Sequence, residues 1–318
     1  MFVDSSNRMA RLTIMLGLLL TTIGTGVAAD CEAMLERFNH AIDEGQEHDA
    51  QALVDKISTS ADCGRFQVPA KRRISAFRLS AAQKLMAQGR PSPGFERLLD
   101  AAEATEVLWQ ASATLAEVKF GERRFPEAAM AFDRAIEIVK NETLTPNAPT
   151  KFEIESLILR AGQARLLAAN SGPSNSSTYV KAARDQRDGT LGGYYSPSIR
   201  GIVPQALPIP ITFEYGTTVF TAVGQDAVRE LSTALKEQRP AKVTLIGHTD
   251  ARGRADFNMR LSRERAAAVA GFLREAGVDI MMEALGKGAN DPMSLPEAGF
   301  LGQDDIYALN RRVEWRRD

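Results

Sequence analysis

The sequence predicts a two-part fold: an all-α N-terminal region, then an α+β domain of order β-α-β-α-β-β, a mixed sheet with helices on one face. Three observations predict it. From Cys31 to about Ala169, apolar residues recur at helical spacing with only short breaks, near Gly45, Cys63-Gly64, Gly89–Gly94, Gly121 and Asn141–Pro149. From Ile211 onward, short β-patterned runs alternate with longer amphipathic ones. Between the two lies a stretch of linker and turn composition, residues 170–210. At 318 residues the chain is long enough for two ordinary domains, each with its own core.

The first 29 residues read as an address. Arg8 and Arg11 precede an apolar run from Leu12 to Val27, and Val27-Ala28-Ala29 offers small residues for cleavage after Ala29. The run is shorter than the roughly 20 apolar residues of a spanning helix. An uncleaved anchor is the alternative, and Met9 competes with Met1 as the true start. Asp30, directly before Cys31, argues against a lipoprotein signal. The expectation is an exported chain with no membrane span after cleavage.

The helical region, residues 30–169, opens with two apolar-periodic segments. Met34, Leu35, Phe38, Ala41 and Ile42 form the first; Ala50, Leu53, Val54 and Ile57 form the second, after a break at Gly45. As an antiparallel hairpin, they bring Cys31 and Cys63 together at the open end. In an oxidising compartment a disulfide is expected, worth on the order of 3–4 kcal/mol in the chain-entropy model. Two buried thiols are the alternative. Further on, Leu115, Phe125, Ala128, Phe132 and Ala135 resemble a tetratricopeptide repeat, although Ser112 and Lys140 stand where that repeat usually has Trp and Pro. The resemblance implies a superhelix whose groove takes a peptide or an unidentified protein partner. A plain helical bundle is the other reading.

The connecting segment carries a Ser/Gly/Pro/Asn run (residues 171–177), a charged stretch from Lys181 to Asp188, then Tyr194-Tyr195 among glycines and prolines. An ordered strap and a free tether both fit. In the last domain, residues 211–318, strands are expected at Ile211–Tyr215, Val243–Gly247, Ile280–Leu285 and Arg312–Trp315. Helices are expected at Val223–Gln238 and Asn258–Ala276, the second ended by Gly277.

Composition excludes several functions. The net charge is −1, with 25% charged and 44% hydrophobic residues, so the basic excess of a nucleic-acid binder is missing. Three histidines (His40, His48, His248) and two cysteines are too few and too scattered for a zinc site. The histidines sit near no candidate Cys or Glu pair, so a nucleophile–base pair is not expected. No cofactor is expected, and the chain reads as a binder, not an enzyme.

What remains is Gly247-His248-Thr249-Asp250, followed by Gly253, Asn258, Leu261-Ser262 and Arg265-Ala266. A strand runs into a loop and then a helix, with an Asp at the strand's end and an Arg two turns into the helix. One fixed negative and one fixed positive charge suit a zwitterion, an ammonium and a carboxylate on one carbon. Asn258 and Arg265 are seven residues apart and so share a helix face.

With Val269 and Asn310-Arg311-Arg312-Val313, these residues resemble the OmpA-like C-terminal domain family, over the last hundred residues or so from Ile211. The resemblance implies non-covalent binding of peptidoglycan through the meso-diaminopimelate of the stem peptide, in the periplasm of a Gram-negative bacterium, at the wall or the outer membrane. It assigns Asp250 to the ammonium and Arg265 to the carboxylate. Asn258, Thr249 and Gly216 line the pocket, and Arg312 reaches the same ligand. Bland readings stand beside these: Asp250 and Arg265 pair only with each other, Asn258 is a helix cap, Arg311 and Arg312 are a solvated strand edge, and His248 is structural. A peptidoglycan-processing enzyme and a purely structural envelope protein are the alternatives in function.

Overall fold

The computed structural model describes residues 23–88, 93–171, 191–204, 206–295 and 300–317. The chain divides into two compact units, Met1–Thr105 and Glu106–Asp318. Most of the expected signal segment, residues 1–22, lies outside the described residues. No described helix is long and apolar enough to cross a membrane.

The first unit contains helices α1 (Ile23–Asp43), α2 (Glu47–Thr59), α3 (Gly64–Ala87) and α4 (Pro93–Glu103). The apolar faces read from the sequence meet here: Phe38, Leu53, Val54 and Ile57 form one buried cluster with Ile74 of α3. Cys31 and Cys63 are joined by a disulfide, their Cα atoms 5.6 Å apart and both side chains buried. The Ser75 hydroxyl donates to the Ala102 carbonyl at 2.7 Å, tying α3 to α4. Arg78 ties α3 to α2 by donating to Glu47 (3.0 Å) and Gln51 (2.6 Å).

The second unit opens with α5 (Trp109–Gly121), α6 (Phe125–Lys140) and α7 (Lys151–Asn170). Ala116, Ala128 and Ala135 have no exposed surface, and small side chains there let α5 and α6 approach. Phe120 and Phe125 meet edge to face with centroids 5.4 Å apart. A capping box, Thr150 with Glu153, starts α7 and satisfies backbone donors that the first turn leaves free. The paired tyrosines lie in a short turn, Gly193–Tyr195, and are fully buried. The Tyr194 hydroxyl donates to the Pro208 carbonyl at 2.6 Å, and its backbone N–H donates to Asp133 of α6 at 3.0 Å. Arg165 of α7 pairs with Asp133 and lies over both tyrosine rings, 5.6 and 5.7 Å from their centroids. Residues 172–190 of the connecting segment lie outside the described residues.

The sheet is mixed and four-stranded: β1 (Ala206–Ile209), β2 (Lys242–His248), β3 (Met281–Gly288) and β4 (Val313–Arg317), in the order β1-β4-β2-β3. β2 runs parallel to β3 and antiparallel to β4, which is antiparallel to β1. Helices α8 (Ala222–Gln238), α9 (Ala255–Glu275) and α10 (Gln303–Asn310) complete the unit.

Two elements differ from expectation. The first strand is Ala206–Ile209, not Ile211–Tyr215, which makes only an isolated bridge between Phe213 and Phe220. Pro208 lies within β1, an edge strand, where a missing N–H is tolerated. The apolar alternation at Ile211, Phe213 and Tyr215 belongs to a loop that turns back through Gly216. The short helix α10 was not anticipated. It is eight residues long, and its start is fixed by the Asp305 carboxylate accepting from the Gly302 N–H at 2.8 Å.

Candidate ligand-binding cleft

The strand-end motif is built around a close approach. A Cβ on Gly247 would lie 2.0 Å from the Ser262 carbonyl oxygen, so α9 can rest on β2 only where no side chain intervenes. That contact fixes the first turns of α9 against the end of β2. The chain leaves β2 after His248, passes through residues 249–254 and enters α9 at Ala255, three residues before the expected start. Asn258 is therefore inside the first turns, not at the cap. Its side-chain amide donates to the carbonyls of Asp250 (3.2 Å) and Arg252 (2.8 Å), which holds the loop against the helix.

Asp250 is nearly buried and does not pair with Arg265. Its carboxylate accepts from Arg252 (2.7 Å) and from Arg311 (2.9 Å), which follows α10. Burial pushes this carboxyl up, but the hydrogen bonds from Arg252 and Arg311 outweigh it and leave the group below the usual carboxylate range.

Arg265 is 6% exposed and makes no ion pair with any described residue. Its Nε donates to the Thr217 carbonyl at 3.0 Å, and its guanidinium lies 4.9 Å from the centre of the Phe213 ring. Burial pulls its pKa down, the nearby Arg311 charge adds to the effect, and the attraction of Asp250 recovers only part. The result is about 10 in place of 12.5.

These groups face one cleft of about 450 Å³. Phe213, Tyr215 and Gly216 wall it on the side before α8, and Thr249, Asp250 and Arg252 line it after β2. Asn258 and Arg265 of α9, Arg311, and Asn170 at the end of α7 also contribute. The Thr249 hydroxyl is buried and has no hydrogen-bond partner. Gly216 adopts φ +69°, a conformation open to glycine at little cost, and presents only backbone to the cleft. Three guanidiniums and one carboxylate therefore surround the space, an arrangement suited to a ligand that brings negative charge. Among the described residues, no group of three or more His, Cys, Asp or Glu is placed to hold a metal ion.

The structure corrects the placement of Arg312. Its Nε donates to Glu314 at 2.7 Å and its Nη2 to the Asp291 carbonyl at 3.2 Å, away from the cleft. The physical reason is strand alternation: Arg312 and Glu314 are two apart and share a face of the extended chain. Arg311, one residue earlier, takes the place at the cleft. His248 is buried, 3.6 Å from Glu314.

Thr249, Asp250, Asn258, Arg265 and Gly216 thus converge, and Arg312 does not. Sequence reasoning missed Arg252 and Asn170 and left Arg311 as an edge residue. Arg252 lies two residues past Asp250 in the motif loop, a signal that was available. Asn170 lies 80 residues before Asp250 and carries no local signal.

A family model described as the OmpA family matches residues 212–299. The peptidoglycan-associated lipoprotein of Haemophilus influenzae is 30% identical over 163 residues, covering 50% of this chain and 95% of that protein. This chain belongs to the OmpA family. A probable lipoprotein, YiaD, of Escherichia coli K12 is 33% identical over 109 residues, covering 34% of this chain and 48% of that one. This OmpA-family chain spans about half or less of the length of several other curated relatives it matches. The crystal structure of the peptidoglycan-associated lipoprotein from Burkholderia pseudomallei is 25% identical and covers 36% of this chain and 91% of that one, with a TM-score of 0.29.

Proposed function

We propose that this chain is an exported, non-catalytic protein that binds peptidoglycan without covalent chemistry, through the zwitterionic centre of the stem-peptide diaminopimelate. The observation that carries the reading is Arg265, a buried guanidinium with no carboxylate partner among the described residues, in the same cleft as Asp250. A ligand carboxylate docking as a planar pair on Arg265 supplies the anion that this charge lacks. Asp250 accepts from the ammonium, the Thr249 hydroxyl supplies a polar contact, and the Gly216 backbone closes one wall. Asn258 acts by holding the loop that presents Asp250. The association with peptidoglycan named in its relatives supports the same ligand.

That ligand, with a signal over residues 1–29, fits a protein of the periplasm of a Gram-negative bacterium, at the wall or outer membrane. The helical region, with its tetratricopeptide-like window in α5 and α6, recruits a protein partner to the wall. Sedimentation with purified sacculi tests the reading. Wild-type protein is expected in the pellet, with Asp250→Ala and Arg265→Ala in the supernatant; both variants pelleting like wild type would refute it. Release of soluble muropeptides by the wild type would refute the non-catalytic part.

A further inference from the structure

Asp250 is already saturated. Its Oδ1 accepts from the Arg252 backbone N–H (3.0 Å) and Nε (3.2 Å), and its Oδ2 from Arg252 Nη2 (2.7 Å) and Arg311 Nη1 (2.9 Å). A carboxylate offers about four lone-pair positions, so an incoming ammonium can reach Asp250 only by displacing a donor. The two guanidiniums are not equivalent as leaving partners. The Arg252 side chain is 46% exposed on the loop, and its guanidinium lies over the Tyr307 ring at 4.4 Å. Arg311 is less exposed, at 30%, and its backbone lies between the end of α10 and the start of β4. Arg252 is the one that can leave. Once it does, the cleft holds a free guanidinium beside the ligand, while Arg265 is already matched by the carboxylate of the zwitterionic centre.

Resting on the peptidoglycan reading above, we propose that the ligand's ammonium exchanges with Arg252 on Asp250, and that the released Arg252 binds a second carboxylate of the same ligand. The recognised unit is therefore a zwitterionic carbon with a further free carboxylate nearby. Diaminopimelate at the end of a stem tripeptide has the required chemistry, because the carboxyl group of its other amino-acid centre is then free and not in a peptide bond. The exchange leaves every charge in the cleft paired: Asp250 with the ammonium and with Arg311, Arg265 with the first carboxylate and Arg252 with the second. A ligand whose second carboxyl is blocked breaks the Arg252–Asp250 pair without replacing it, and so binds more weakly.

The test uses the full protein and two stem tripeptides containing meso-diaminopimelate. One has all its carboxylates free; the other is amidated at every carboxyl except that of the zwitterionic centre. Calorimetric titration of the wild type is expected to favour the free form by about tenfold, the scale of a charge-assisted hydrogen bond at a partly exposed site. Arg252→Gln, with a melting temperature like the wild type's, is expected to bind both peptides alike, and Arg252→Lys to keep part of the preference. Equal binding of both peptides by the wild type, or an undiminished preference in Arg252→Gln, overturns the exchange while leaving the peptidoglycan reading standing. Failure of the wild type to bind either peptide, or unchanged binding by Arg265→Ala, overturns that reading and the exchange with it.

Discussion

Replacing Arg265 by methionine should stabilise the protein and weaken its binding. The guanidinium is 6% exposed and is held at a pKa of about 10 in place of 12.5. A tenfold change in ionisation is about 1.4 kcal/mol, so keeping this group charged costs the free protein about 3 kcal/mol. The hydrogen bond to the Thr217 carbonyl and the stacking on Phe213 offset about 2 kcal/mol of that. Methionine has a similar length and no charge to desolvate. A net gain of about 1 kcal/mol raises the melting temperature of a unit this size by about 2–4 °C. The Arg265 pKa is depressed on folding, so its cost is fully present below pH 10 and fades as pH rises toward 12.5. The gap in melting temperature between variant and wild type should therefore narrow above pH 10. Binding to sacculi should weaken by about 30–100-fold with the loss of one charge-assisted pair. Differential scanning calorimetry with sacculus sedimentation measures both. A variant several degrees less stable that still sediments normally would refute the reasoning, since it would make Arg265 a structural residue.

Other consequences follow from single contacts. Replacing Cys31 and Cys63 by serine should lower the unfolding free energy of the first unit by about 4 kcal/mol, read from urea denaturation; a loss below about 1 kcal/mol would show that the bridge constrains little. Burial pushes the Glu314 carboxyl up, but His248 and Arg312 pull it further down, to about 2 in place of 4.5. The stability it contributes is present above pH 4.5 and lost as pH falls toward 2, about 3 kcal/mol in all. Glu314→Gln should flatten the acid limb of the stability curve, and an unchanged limb would rule this carboxylate out as its source. Gly247→Ala should cost more than about 3 kcal/mol, because the new Cβ meets backbone and not a movable side chain; a soluble variant with a wild-type melting temperature would refute the close approach.

The parts legible in the sequence were those whose cause is local. The α1–α2 hairpin follows from the apolar spacing of Phe38, Leu53, Val54 and Ile57, and the disulfide follows from that hairpin. The central elements β2, α9 and β3 are long and strongly patterned, and each lies within a few residues of its expected place. The misplaced first strand shows the limit. An aromatic alternation in a loop and a true edge strand containing Pro208 look alike until it is known which one faces β4. The cleft divides in the same way. Asp250, Asn258 and Arg265 belong to one continuous segment, so their convergence is a matter of helical geometry. The choice between Arg311 and Arg312 depends on where α10 stops and β4 begins, which pairing across the sheet decides. Asn170 reaches the cleft only because α7 packs against β1 within the same unit, and nothing near it in sequence records that.

The helices α5–α7 share one compact unit with the sheet, which bears on how much chain the cleft requires. The family match begins at residue 212, and a fragment of residues 211–318 would look sufficient from sequence. That fragment lacks β1, whose Leu207 and Ile209 are buried and pair with Trp315 and Val313 of β4. Losing two such side chains forfeits about 3–6 kcal/mol of apolar burial and uncovers an edge beside Trp315. It also removes Arg123, whose guanidinium makes paired contacts of 2.5 and 2.8 Å with Asp305 at the start of α10, the helix that carries Arg311 to the cleft. A typical domain is stable by only 5–15 kcal/mol, so the short fragment is expected to melt without cooperativity or to aggregate. A fragment of residues 106–318 is expected to give one sharp transition and full sacculus binding. Far-UV circular dichroism melts of the two fragments, with sacculus sedimentation, decide the matter: a cooperative, binding-competent 211–318 would show that the helices contribute nothing to the cleft.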